Sequence, residues 1–250
     1  MTELTEPGGK VRLYVEAELG DGARVSLSDS QAHYLLHVMR ARAGDFVSLF
    51  NGRDGEWLAR VTEVTKRGCV LACEKEIAKQ DEVPDIWLCF APIKKTPADY
   101  VVQKATELGV RALVPVFTRR TIVTRVNTER MLANAVEASE QSGRLTVPEI
   151  REPVTLEKLL ASWPRERRLF FCDEGGEAKP IAQAVRGTGT APCAILTGPE
   201  GGFDRSERDR LRAETFVTPL TLGQRILRAD TAALAALSVW QALAGDWAHD

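Results

Sequence analysis

From Asp85 to the carboxyl end, short apolar runs alternate with longer segments of helical periodicity, and this alternation limits the fold more than any other feature of the chain. The runs at residues 86–91, 112–117, 169–172, 193–197 and 216–220 are four to six residues long and read as buried strands. Helix signals fill the gaps. Thr96 is placed to cap a helix with Pro97 at its first position, ending at Gly109, and Asn127 to cap another that stops at Gly143. Strand–helix alternation of this kind predicts an α/β domain on a mostly parallel sheet.

Before Asp85 the rhythm differs. Short alternating runs at 11–16, 23–27, 45–50, 56–61 and 68–73 are separated by the turn signals Asn51-Gly52, Asp54-Gly55 and Arg67-Gly68. One helix interrupts them, capped near Ser28 or Asp29 and running through Tyr34 to Arg40. Several short strands with one helix predict a small barrel. The polar stretch from Lys75 to Pro84 separates the two blocks, so the expected division is a first domain at 1–75, a linker at 76–84 and a second domain at 85–250.

Composition narrows the setting. The net charge of −2 provides no global basic field. No apolar run approaches the roughly 20 residues that span a bilayer. Residues 1–10 are polar with two acidic residues, unlike a secretory signal. Cys69, Cys73, Cys89, Cys172 and Cys193 sit mostly inside apolar runs and read as reduced, buried thiols of a cytoplasmic protein. Cys69 and Cys73 lack a second pair for zinc. His33 and His37 lie four apart on one helical face without a third ligand nearby, so no metal site is expected.

Two loops carry the chemistry. Leu196-Thr-Gly-Pro-Glu-Gly-Gly-Phe-Asp204 follows an apolar strand and packs three glycines and a proline into five positions, which makes a tight turn and leaves amides open to a ligand. Asp204 and Glu207 have the spacing of a capping box. Ligands of open α/β sheets settle at the carboxyl ends of strands, where this loop lies. The pattern is neither a dinucleotide fingerprint nor a phosphate loop, and spacing alone leaves an ordinary glycine turn equally open. The second loop, Leu220-Thr-Leu-Gly-Gln-Arg-Ile-Leu-Arg-Ala-Asp-Thr231, also follows a strand and leads into a helix capped by Asp230 or Thr231. Arg225 and Arg228 flank Ile226 and Leu227 there: guanidinium groups for a nucleic acid and an apolar slot for a ring.

Thr197-Gly-Pro-Glu-Gly-Gly202 together with Leu222-Gly-Gln-Arg-Ile-Leu-Arg-Ala-Asp-Thr-Ala232 resembles the RsmE-type 16S rRNA uridine N3-methyltransferases of the SPOUT superfamily. Gln103-Lys-Ala-Thr-Glu-Leu-Gly109, Glu137-Ala-Ser-Glu-Gln-Ser-Gly-Arg144 and His33-Tyr-Leu-Leu-His-Val-Met-Arg40 match the same family in the same order, so the resemblance covers essentially the whole chain. The chain departs from the family pattern at Asp230, where glutamate or another polar residue is usual, and at Tyr34, where a second histidine is common. The resemblance implies a trefoil-knotted methyltransferase domain behind a PUA-like, RNA-binding β-barrel. It implies S-adenosylmethionine as cofactor, wrapped by Leu196, Thr197, Gly198, Glu200, Gly201, Gly202, Leu220, Leu222, Gly223, Ile226 and Leu227. The implied partner is 16S rRNA of the small ribosomal subunit, met by Arg12, His37, Arg40, Lys94, Lys95, Arg119, Arg144 and Arg225.

On that reading no metal is required. Methylation at uridine N3 needs a positioned nucleophile, loss of the N3 proton and stabilisation of the resulting anion. Arg228 suits the last task, with Glu200 or Asp230 as proton acceptor. Another SPOUT activity, on a ribose 2′-hydroxyl or a guanine, is the alternative; an RNA-binding protein without catalysis would not need the glycine loop. Finally, residues 231–244 are apolar almost all round, interrupted by Ser238 and Gln241. Such a helix predicts a homodimer with Trp240 as an anchor, in keeping with SPOUT relatives, which dimerise beside the knot.

Overall fold

The computed structural model describes residues 11–65, 68–175 and 178–248, and for 95–97 the backbone alone. Residues 1–10, Arg67, His249 and the side chain of Lys95 therefore lie outside the described residues. The chain falls into two compact units, one running to Glu82 and including Ser139–Val147, the other Val83–Ala138 with Pro148 onward.

The first unit is built on β1 (Arg12–Tyr14), β2 (Arg24–Ser26), β3 (Phe46–Phe50), β4 (Glu56–Val64) and β5 (Cys69–Ala78), ordered β1-β3-β4-β5-β2. β1 is parallel to β3 and the remaining neighbours are antiparallel, so the sheet is mixed. β5 is longer than the sequence signals, because β4 continues to offer partners: Glu76 pairs with Trp57 and Ala78 with Glu56. Three residues assigned to the linker, 76–78, are thus strand. Gly55 makes the β3–β4 turn at φ 77°, and a Cβ there would lie 2.4 Å from the Ala78 carbonyl oxygen. Leu13, Val25, Leu35, Val47, Leu49, Val61 and Leu71 fill the core.

The helix of this unit does not run to Arg40 as one α-helix. α1 (Asp29–His33) starts on a reciprocal Ser28–Gln31 capping box, then widens into a π-turn over Tyr34–Val38. The wide turn keeps both Leu35 and Ala41 in the core, and Arg40 absorbs the exit at φ 59°, a left-handed value that no other described non-glycine residue adopts.

Arg12, expected at an RNA surface, is instead an internal tie. Its guanidinium pairs with Glu56 at 2.8 Å, donates to the carbonyls of Ser139, Glu140 and Arg144, and lies 4.6 Å from the Phe50 ring centre. With 14% of its side chain exposed, it has little left to offer a phosphate.

The second unit alternates β6 (Ile86–Phe90), α2 (Lys95–Glu107), β7 (Ala112–Phe117), α3 (Thr128–Ser142), β8 (Glu149–Ile150), β9 (Val154–Thr155), α4 (Leu156–Ala161), β10 (Arg168–Cys172), β11 (Lys179–Pro180), α5 (Ile181–Val185), β12 (Cys193–Thr197), α6 (Arg205–Ala213), β13 (Val217–Thr221) and α7 (Ala229–Ala244). All strand pairs are parallel, in the order β11-β13-β10-β12-β6-β7-β8 with β9 on β7. α3 begins on Asn127, whose Oδ1 accepts from the Arg130 amide at 2.9 Å, and stops before Gly143 at φ 80°. α2 starts two residues earlier than its proline suggests, with Lys94 as cap. Proline is tolerated throughout a first turn, whose amides make no intrahelical bond. Among the described residues no helix is long and apolar enough to cross a membrane.

After β13 the chain turns back across β10 and lays α7 against β12, α2 and α5. Trp240 is fully buried within this unit, as are Ala236 and Leu237. Its role as an anchor for a second copy is therefore corrected: an all-apolar helix needs cover, and here its own neighbours cover the tryptophan. Gln241 locks the end of α7, donating to the Leu108 carbonyl at 2.6 Å and accepting from the Asp246 amide at 3.1 Å.

Replacing Arg12 with alanine leaves Glu56 and three carbonyls without their donor, and is expected to destabilise the protein by about 2–4 kcal/mol. Urea unfolding checks this; an unchanged midpoint alongside weaker RNA binding would return Arg12 to the surface role.

Candidate functional site

β10 lies between β12 and β13, all three parallel, so the segments leaving their carboxyl ends emerge side by side. They enclose a cavity of about 490 Å³. Cys172–Glu174 contribute from the end of β10, Thr197–Glu200 from β12, and Thr221 through Asp230 with Ala232 from β13 and the start of α7; Ile93, after β6, closes one side.

Each loop is held for a physical reason. A Cβ on Gly198 would meet the Phe203 ring at 2.7 Å, so glycine lets that ring fold under the turn. Gly202 sits at φ 65° with its amide bonded to the Pro199 carbonyl at 2.9 Å. The loop then enters α6 through a reciprocal capping box: Asp204 accepts from Ser206, and Glu207 accepts from the Asp204 amide at 3.0 Å. Glu207 also receives the Arg119 amide at 2.8 Å, while Arg120 donates to the Gly201 carbonyl at 3.0 Å. Bonds from Ser206, helped by Arg119 and Arg120, hold the Asp204 carboxyl below its ordinary range.

The β10 loop is anchored from α6. Asp173, its side chain wholly buried, receives Arg212 at 2.9 and 2.5 Å, and the same guanidinium donates to the Gly175 carbonyl. The third loop turns at Gly223, φ 111°, over Thr221. It presents Arg225, Ile226 and Arg228 to solvent and the cavity, with Ile226 86% exposed, a large apolar side chain with no cover. Arg228 occupies the cap position of α7 without using its side chain there; Asp230 accepts from the Thr231 amide at 2.7 Å.

Of the residues predicted around a cofactor, Thr197, Gly198, Glu200, Leu222, Gly223, Ile226 and Leu227 line this cavity, and so do Arg228, Asp230 and Arg225. Leu196 and Leu220 are fully buried in the sheet behind it, and Gly201 and Gly202 lie in the loop but not in the wall. Among the predicted RNA contacts, Arg119 faces Asp204 at 3.6 Å, Arg144 donates to Thr146, and Lys94 caps α2 with an exposed side chain. His37 and Arg40 are exposed on the first unit, His37 against His33 with ring centres 4.9 Å apart. Sequence reading missed Ile93, Asp173, Glu174 and Gln224 as cavity residues. The signal for two of them was present: Cys172-Asp-Glu-Gly175 is a polar, glycine-bearing segment directly after an apolar run, like the two loops that were recognised.

The cavity fits a nucleoside-bearing ligand. It offers the apolar side chains of Ile93, Leu222 and Leu227, the backbone of two glycine turns, and Glu174, Glu200, Arg225 and Arg228, ionisable side chains without protein partners among the described residues. Cys172 also lines it, its thiol pushed up to about 12 by burial.

Comparison with known proteins agrees with this layout. Residues 79–241 match a family described as an RNA methyltransferase domain, and residues 27–72 one described as an RNA methyltransferase PUA domain. The ribosomal RNA small subunit methyltransferase E of Rickettsia conorii is 31% identical over 91% of this chain and 93% of its own length. Its namesake from Synechocystis is 31% identical over 93% of this chain and 77% of its own. Two solved structures superpose with a TM-score of 0.83: the small subunit methyltransferase E of Neisseria gonorrhoeae bound to S-adenosyl methionine, at 31% identity over 95% of this chain and 99% of that one, and a putative methyltransferase of Legionella pneumophila with the same bound cofactor, at 30% over 94% and 98%.

The glycines of the first loop are expected to rank by geometry. Gly198→Ala forces Phe203 aside and costs about 1–3 kcal/mol, Gly202→Ala strains a left-handed residue by about 1 kcal/mol, and Gly201→Ala, whose Cβ meets Arg120 only at 3.5 Å, costs little. Thermal melts of the three variants test the order, and a Gly201 variant less stable than the Gly198 one would refute it.

Proposed function

The chain belongs to the RsmE family of RNA methyltransferases, and on that footing we propose that it methylates N3 of a uridine in 16S ribosomal RNA of the small subunit. Its second unit is a SPOUT methyltransferase domain and its first is PUA-like. The observation that carries the reading is the meeting of three parallel-strand loops around a cavity lined by apolar side chains and by the guanidinium of Arg228, which has no partner among the described residues.

S-adenosylmethionine, when bound, supplies a methyl group already activated on a sulfonium. Thr197, Gly198, Leu222, Gly223, Ile226 and Leu227 would hold it, together with Ile93. The remaining work falls to the chain. It must orient the uracil edge, take the N3 proton and stabilise the charge spreading over O2, N3 and O4. Arg228, fixed by its backbone at the cap of α7, is suited to that charge, and Glu200 or Asp230 to the proton. Arg225, Lys94, His37 and Arg40 are exposed and suited to phosphates, whereas Arg119 first has to leave Asp204. The site of action is the cytoplasm, with the ribosome. A homodimer is supported by the uncovered parts of α7: Leu234, Ala235, Val239 and Leu243 are only half-buried and Ala242 is exposed.

Small subunits from a strain lacking the protein, incubated with it and labelled cofactor, are expected to carry the label on uridine N3; label on a ribose 2′-oxygen or on guanine would overturn the assignment. Arg228→Ala should lower the single-turnover rate with saturating RNA by about two to three orders of magnitude while cofactor affinity changes far less. A wild-type rate would remove Arg228 from the chemistry. Light scattering at micromolar concentration is expected to show a dimer, and a fully active monomer would dismiss it.

A further inference from the structure

The cavity holds an odd balance of charge. Asp173 is neutralised by Arg212, which leaves three carboxylates in the lining, Glu174, Glu200 and Asp230, against two guanidinium groups, Arg225 and Arg228. The excess is one negative charge. Both arginines belong to the exposed loop after β13, where an anionic nucleic acid would engage them; Asp230 follows them at the start of α7, while Glu174 and Glu200 stand on the loops after β10 and β12.

Glu174 stands apart among the three. Asp230 already receives a backbone amide, and Glu200 sits in the turn beside Pro199. Glu174 has no hydrogen-bond or ion-pair partner among the described residues, yet its backbone is fixed on both sides, by Asp173 and by Gly175, each bonded to Arg212. Its carboxylate rests against the first glycine loop: a Cβ on Gly202 would lie 3.1 Å from Oε2. The bare Cα of Gly202 thus makes room for this charge at the junction of two cofactor loops. Glu174 is exposed at the cavity wall, and a carboxylate there without a protein partner among the described residues attracts a cationic ligand.

We infer that Glu174 discriminates between the charged methyl donor and its spent product. The inference rests on the cofactor reading above. S-adenosylmethionine carries one net positive charge; once the methyl group has left and its bonding pair stays on sulfur, S-adenosylhomocysteine carries none. A cavity with one excess negative charge attracts the first and is indifferent to the second, so product release is built into the electrostatics of the wall. Glu174 is a specificity residue in this scheme and takes no part in proton transfer.

Calorimetry with both ligands tests this on the wild-type protein and on Glu174→Gln. The variant should lose about tenfold of its preference for S-adenosylmethionine over S-adenosylhomocysteine, the order expected of one charge a few ångströms away in a partly wet site. Equal weakening of both ligands, or an unchanged ratio, would overturn the inference, since a merely structural role moves both together. In the wild type, raising salt from about 50 to 500 mM should shrink the same preference. A salt-independent ratio would count against it even if the variant failed to fold. A wild-type protein that binds neither ligand would sink the cofactor reading itself, which is a separate result.

Discussion

The backbone ladder that places β10 between β12 and β13 is the constraint on which the site depends. Phe170 pairs with Ile195 on one side and Thr218 on the other, and because all three strands point the same way their loops must emerge together. Antiparallel pairing of any one of them would carry its loop to the opposite edge of the sheet. Residues as far apart in sequence as Ile93, Glu174, Glu200 and Arg228 share one cavity for this reason.

What is local in this structure was legible in the sequence. The apolar runs became strands within a residue or two, except that β4 and β5 extend three and five residues further, and Asn127, Gly143, Asp204 and Glu207 do the capping their types suggest. Both glycine loops could be seen because glycine and proline leave a mark wherever the backbone turns sharply. What was hidden depends on distant partners. Nothing near Arg12 indicates that its fork would be taken up by Glu56 and by carbonyls beyond residue 138. A helix apolar on every side looks the same whether its own sheet or a second molecule covers it, so Trp240 was placed outside when it lies inside. Glu174 escaped because only the order of three strands reveals that its loop belongs with the other two.

Charge is divided by task. Arg12, Arg120 and Arg212 hold backbone carbonyls and carboxylates in place, whereas Arg225 and Arg228 have no such employment among the described residues. A count of basic residues, or a net charge of −2, cannot separate these groups. Arginine serves both because its planar fork satisfies several acceptors at once when enclosed and remains charged when exposed.

The first unit is completed by a stretch of chain that is made long after the rest of it. Arg12 bonds to the carbonyl of Ser139, 127 residues downstream, and the strands of β1 to β5 are all present by Ala78. During synthesis those five strands therefore leave the ribosome with Arg12 and Glu56 still waiting for the carbonyls that finish their shell. At about 5–20 residues per second that interval lasts several seconds. The amino-terminal unit spends it with all five strands in hand but with the shell around Arg12 open, since Ser139 lies past the midpoint of the chain.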